Sequence, residues 1–340
     1  MKVMNAKAIV FEATRKVQVR EVELPALASE DVLVETEVSG VSVGTERWAL
    51  EGLRQEITPP SVPGYMGVGR ILEAGREAAA RGYVAGRRVT FLASRFAGEM
   101  DGKSWMGAHV SHAVVRTIED ADEAEWFKAC MLPEACDPMD ASLIGLCAVS
   151  MRGIELAGVP AGARVLVVGL GILGQYAAQV CRLKGARVAA ADVVASRLEI
   201  ARKTGTEWIV NAGTESLADR AAEIAPGGFD VIIDTSSIPE VVRGLFPLLK
   251  TYGKFIFQGW YPPPSELNLG AIQVSMAECY FPNGHSGLAV ATALRWATDG
   301  RIDTRSLVTH VARPDDAPAV YDMVLAGSQD FLGIVFDWRS

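Results

Sequence analysis

Three glycines carry the most specific chemistry in this sequence. In VLVVGLGILGQYAAQV they stand at 169, 171 and 174, between an apolar strand and an amphipathic helix. Gly169 permits a tight turn, Gly171 lets the backbone approach a pyrophosphate, and Gly174 allows the helix to pack closely on the strand. Ile172 and Leu173 open that helix, whose N-terminus offers free N–H groups and a positive dipole end to a phosphate. Asp192 ends the next strand, ARVAAAD. A carboxylate there accepts the ribose hydroxyls of adenosine and repels a 2′-phosphate, which predicts NAD rather than NADP. Arg197, close in sequence, softens that preference. Thr235 and Ser236 end FDVIIDTS, and Gly259 follows FIFQ. Strand carboxyl ends face the ligand crevice of a parallel sheet, so these three are further candidate cofactor contacts. The chemistry of such a cofactor is hydride transfer.

The elements that must position these residues fall into two kinds. Residues 1 to 120 read as short strands punctuated by glycine and proline. Lys7–Glu12 and Val17–Val22 form a hairpin, and DVLVETEVS alternates with Val32, Val34, Thr36 and Val38 on one face. That pattern predicts a compact, barrel-like β domain. Residues 124 to 158 have helical spacing. From Ala163 to about Gly284 strand and helix alternate, the βαβ rhythm of a parallel sheet covered on both faces.

Composition sets the bounds. The chain has 340 residues, enough for two domains; 49% are hydrophobic and 22% charged, so disorder is excluded. A net charge of -8 with no basic block argues against nucleic acid as a partner. No apolar leader or spanning stretch is visible, so neither export nor a membrane is expected and the setting reads as cytoplasmic. Five scattered cysteines suit buried thiols rather than a disulfide framework.

The chain as a whole resembles the medium-chain dehydrogenase/reductase superfamily, which contains zinc alcohol dehydrogenases and quinone reductases. The resemblance rests on VETEVSGVSVGTE, PGYMGVGRILEAG, GRRV, the glycine fingerprint and the closing GRIDTRSLVTHV and DDAPAVYDMV. SVGTER and PGY most resemble a zinc-free branch, that of bacteriochlorophyllide hydroxyethyl dehydrogenase and its bi-domain oxidoreductase relatives. The implied fold class is α/β, a GroES-like β-barrel catalytic domain plus a doubly wound Rossmann domain. Its expected bounds are 1–140 with 301–340 returning to it, and 141–300 for the nucleotide-binding part.

The family's zinc enzymes place a Cys just after the SGV segment, a His–Glu pair after PG, and a third ligand near the start of the bridging helix. This chain has Ser42 and Val43, then Tyr65 and Met66, then Ala141–Leu143 with Asp140 adjacent. It also has no cysteine between 90 and 115, where a structural zinc lobe needs four. A site that needs three protein ligands does not assemble from one carboxylate, so no metal is expected.

Without zinc, side chains must polarise the substrate oxygen. The resemblance turns Ser42, Thr45, Glu46 and Tyr65 toward the vacated site. Tyr65 stands at the family's zinc-binding His and is the candidate hydrogen-bond partner of a substrate oxygen. Thr45 matches a Ser/Thr that relays a proton. Glu46 replaces the family's Asp and becomes a candidate base if a half-buried cleft raises its pKa; an ion pair with Arg47 or Arg70 is the competing role. Trp48, Trp260 and Tyr261 are candidate pocket walls, and His285 a candidate acid or base.

These readings converge on a zinc-independent, NAD-dependent enzyme acting on a small-molecule secondary alcohol or its ketone. The substrate classes in view are a sugar, a cyclitol or a hydroxyethyl group. Two others stay open: an NADPH-dependent quinone or enoyl reductase, and a non-catalytic nucleotide-binding protein. ELNLGAIQVSMAECYF has the β-rich look of an uncovered sheet edge, which predicts a homodimer.

Overall fold

The computed structural model describes residues 4–54, 56–103, 106–117, 129–261, 265–327 and 331–340. The chain divides into two compact units. The first comprises Met1–Gly145, Ser286–Gly300 and Thr304–Ser340, and the second Leu146–His285 and Arg301–Asp303.

The first unit is β-rich. β1 (Met4–Ala13) and β2 (Lys16–Leu24) form the expected antiparallel hairpin. A second sheet contains β3 (Asp31–Gly40), β4 (Gly67–Ala74), β5 (Arg88–Phe91), β6 (His112–Arg116) and β7 (Ala129–Met131). The late strands β14 (Val308–Ala312) and β15 (Gly333–Asp337) complete it. The order is β14-β15-β3-β4-β5-β7, with β6 also on β3. β15 runs antiparallel to β3, with Val335 opposite Gly40. Val32, Val34, Thr36 and Val38 are all buried, as the alternation of β3 predicts.

The second unit is a parallel sheet of β8 (Arg164–Val168), β9 (Arg187–Asp192), β10 (Trp208–Asn211), β11 (Phe229–Asp234), β12 (Leu249–Phe257) and β13 (Glu278–Tyr280). Its order, β10-β9-β8-β11-β12-β13, reverses direction between β8 and β11. Val165, Leu166 and Val167 have no exposed surface, the mark of a sheet covered on both faces. The fold class is the one the sequence implied, α/β with a Rossmann sheet and a β-rich partner.

Two local expectations, the helical reading from 124 and the β-rich edge, need correction, and one further helix was not foreseen. Ser42–Leu50 forms a cap and a helix, Val43–Leu50, in which the Glu46 carboxylate turns back onto the Ser42 N–H. The region read as helical from 124 begins, among the described residues, with β7; helices Pro138–Ala141 and Ile144–Leu156 follow. The presumed β-rich edge holds a helix, Leu269–Ser275, and only the three residues of β13. Helix Gly287–Thr298 packs on β7 and Pro138–Ala141 within the first unit. Among the described residues, no helix is long and apolar enough to cross a membrane.

Candidate functional site

The glycine turn follows β8 and the Thr235 turn follows β11, so both lie at the carboxyl ends of the two strands that flank the switch point. Gly169 has φ +85°. A Cβ on Gly174 would stand 1.9 Å from the Gly169 carbonyl oxygen, so only glycine lets the helix Ile172–Leu183 sit there. A Cβ on Gly171 would meet nothing within 4 Å, which leaves that side open to a phosphate. Gly171 caps the helix, and no described side chain caps its first N–H groups. Ile172 is buried, and the Leu173 carbonyl accepts the Ser150 hydroxyl at 3.0 Å. These residues fit a dinucleotide.

Asp192 is 8% exposed and already has structural work. Its Oδ2 accepts the Leu170 N–H at 2.5 Å and its Oδ1 the Val194 N–H at 2.8 Å. It thereby ties the glycine turn to the loop after β9, and each oxygen keeps a lone pair for a ribose hydroxyl. Gln175, fully buried, joins the same two segments by donating to the carbonyls of Arg197 (2.8 Å) and Leu170 (3.4 Å). Arg197 itself lies in the first turn of helix Ala195–Lys203.

Thr235, Ser236 and Gly259 act on the crevice walls. The Thr235 hydroxyl donates to the Gly169 carbonyl at 2.7 Å, and the Ser236 hydroxyl to Asp234 at 2.7 Å. A Cβ on Gly259 would stand 2.2 Å from the Ser237 hydroxyl. Asp234, which the sequence reading passed over, is fully buried at the end of β11 and accepts the Tyr261 hydroxyl. Burial raises both the Asp234 carboxyl and the Tyr261 phenol, so Tyr261 belongs to this anchor. Trp260 is 53% exposed. His285 is buried, and desolvation takes its pKa down to about 4, so it is neutral near pH 7.

In the first unit, three of the predicted residues form a hydroxyl chain. The Tyr65 hydroxyl donates to Ser42 Oγ at 2.6 Å, and Ser42 Oγ donates to Thr45 Oγ1 at 3.1 Å. Tyr65 and Ser42 are buried, whereas Thr45 is partly exposed, so the chain runs from the interior toward the surface. Burial pushes the Tyr65 phenol up to about 12, against the opposing hydrogen bonds of Ser42 and Thr45. It stays protonated at neutral pH.

Glu46 does not lie in a half-buried cleft. It is fully buried and pairs with neither proposed arginine: Arg47 meets Glu51, and Arg70 meets Glu37. Its Oε1 accepts the Ser42 N–H at 2.8 Å, and its Oε2 accepts His109 Nε2 at 3.1 Å and the Tyr321 hydroxyl. With its acceptors so occupied, it holds the start of the helix.

No described group of three His, Cys, Asp or Glu side chains could hold a metal ion. Tyr65 and Met66 are buried where the resemblance puts the His–Glu pair, and Asp140 is ion-paired to Arg305 at 2.9 Å. The donor set of the described residues does not fit a catalytic zinc.

Comparison with known proteins agrees with the fold. Residues 173–286 match the family model of the zinc-binding dehydrogenases. An L-threonine 3-dehydrogenase of Photobacterium profundum is 27% identical over 336 residues, covering 94% of this chain and 95% of the relative. A candidate zinc-binding dehydrogenase of Sinorhizobium meliloti, bound to NADP, superposes with a TM-score of 0.83 at 22% identity, over 98% and 99% of the two chains. An Escherichia coli alcohol dehydrogenase complexed with NADH gives 0.81 at 20% identity, over 98% and 99%. Over nearly its full length the chain is similar to dehydrogenases of the medium-chain dehydrogenase/reductase type.

Sequence reasoning missed His109 and Tyr321, which hold Glu46, and Ser39 and Trp338, which hold the far side of His109. The one available signal was the alternation in AHVSHAVV, which sets His109 on the face opposite His112.

Proposed function

We propose that this protein is a zinc-independent, NAD-dependent oxidoreductase that interconverts a secondary alcohol and its ketone. The observation that carries this reading is the Tyr65–Ser42–Thr45 hydroxyl chain at positions where the resemblance expects metal chemistry. A nicotinamide cofactor, when bound, supplies or accepts the hydride. Gly169, Gly171 and Gly174 would hold its pyrophosphate and Asp192 its adenosine ribose. The NADP and NADH carried by the two structural neighbours support a nicotinamide ligand, and the Asp192 carboxylate supports NAD.

In reduction, with hydride supplied by the bound cofactor, the Tyr65 O–H would donate the proton to the carbonyl oxygen. The donated proton is replaced through Ser42 and Thr45 from solvent. Oxidation retraces the same path. Sugars, cyclitols and hydroxyethyl groups are the substrate classes to screen.

The test is one preparation analysed for metal and titrated with NADH and NADPH, followed by an alcohol and polyol screen. A full equivalent of zinc per chain would sink metal independence, and tighter NADPH binding would sink the cofactor assignment. The cytoplasmic setting and the homodimer belong to the same proposal. Pairing through β13 draws on Phe281 beside it, 68% exposed; a monomer by sedimentation at micromolar concentration would remove it.

A further inference from the structure

We propose that His109 is the positioning residue of the hydroxyl chain, holding Tyr65 from one side and the Ser42–Thr45 turn from the other. The inference rests on the reading of Tyr65, Ser42 and Thr45 given above. The His109 ring has no exposed surface. Its Nε2 donates to Glu46 at 3.1 Å, and Glu46 holds the Ser42 N–H at 2.8 Å. One imidazole therefore fixes the start of the helix that bears Ser42 and Thr45.

The same ring shapes the backbone before Tyr65. A Cβ on Gly64 would stand 2.7 to 2.9 Å from three atoms of the His109 ring, and Gly64 has φ +90°. Both facts require glycine there. The His109 N–H donates to the Pro63 carbonyl at 3.1 Å, and the Ala108 N–H to the Gly64 carbonyl at 2.9 Å. The segment leading into Tyr65 is thus molded on His109.

Two further residues set the ring's proton. Trp338 Nε1–H donates to Ser39 Oγ at 2.9 Å, which leaves the Ser39 hydroxyl proton for His109 Nδ1 at 2.7 Å. Nδ1 is then the acceptor, and Nε2 carries the hydrogen aimed at Glu46. Phe336 stands edge-on to the ring, with centroids 5.3 Å apart. An aromatic side chain suits this site, so a role limited to packing would tolerate phenylalanine at 109.

The experiment is tyrosine ¹³Cζ NMR on the full chain, with the Tyr65 signal identified by its loss in Tyr65→Phe. His109→Phe, His109→Gln and Ser39→Ala are compared with the wild type. Glutamine keeps an N–H near the place of Nε2. His109→Phe is expected to move or split the Tyr65 signal and to lower kcat at least tenfold, with the NADH Kd within twofold. His109→Gln is expected to keep the signal in place and recover most of kcat. An unmoved Tyr65 signal in His109→Phe, or equal behaviour of the Phe and Gln variants, overturns the proposal. Should His109→Phe fail to fold, Ser39→Ala decides: a moved Tyr65 signal supports the role, an unmoved one overturns it. A wild type without turnover on any alcohol would sink the dehydrogenase reading and leave the NMR comparison intact.

Discussion

Replacing Tyr65 with phenylalanine deletes one oxygen atom and keeps the ring. The lost hydroxyl is buried, donates to Ser42 at 2.6 Å and stays protonated up to about pH 12. Ser42 keeps Thr45 as its acceptor but loses its donor, a deficit of about 1 kcal/mol in stability. The effect on rate is larger. A positioned donor to a developing alkoxide is worth about 2.7–4 kcal/mol, so kcat should fall by about 10²–10³. The NADH Kd should stay within twofold. Carbonyl reduction is followed at 340 nm with the best ketone from the screen, beside a urea unfolding curve. Because burial holds the phenol neutral, Tyr65 should contribute no inflection to the rate profile between pH 6 and 10. A variant that keeps kcat within threefold of the wild type would refute the assignment of Tyr65 as donor.

The Gly174→Ala substitution puts a carbon 1.9 Å from a carbonyl oxygen, so stability should drop by about 1–3 kcal/mol and NADH binding at least tenfold; calorimetry showing wild-type affinity would contradict the turn geometry. Asp192→Ser removes the acceptor of two backbone N–H groups, so it should weaken both cofactors, and a clean switch to NADPH by titration would disprove the dual role. His285 predicts acid sensitivity. Its folded pKa lies below its ordinary value, so its stabilising effect is complete above about pH 6.5 and is lost as pH falls toward 4. At about 1.4 kcal/mol per pH unit the loss approaches roughly 3 kcal/mol, and His285→Gln should flatten the stability profile over that range. Prolonged chelation should leave activity unchanged; a loss restored by zinc alone would defeat metal independence.

The geometry legible in the sequence is the geometry that is local. Gly169, Gly171 and Gly174 act within one turn, and their strand and helix flanks are adjacent in the chain, so the pattern alone defines them. Ser42, Thr45 and Tyr65 came from resemblance, and the structure brings their hydroxyls together. Glu46 was misjudged because its partners are distant: His109 is 63 residues away and Tyr321 is 275. No periodicity encodes such pairings. Thr235 sits at the crevice, yet its hydroxyl is turned back to Gly169, a rotamer choice that only packing decides. The Leu269–Ser275 segment misled because its apolar residues satisfy strand and helix patterns alike.

The discontinuity of the first unit orders its biogenesis. β3 is made early, but β15, which pairs with it, leaves the ribosome only after the whole second unit. The Trp338–Ser39 hydrogen bond closes a loop of 299 residues. The nucleotide-binding unit draws almost entirely on one uninterrupted stretch and can mature first. A nascent chain would therefore complete the glycine turn at 169–174 before Glu46 gains Tyr321.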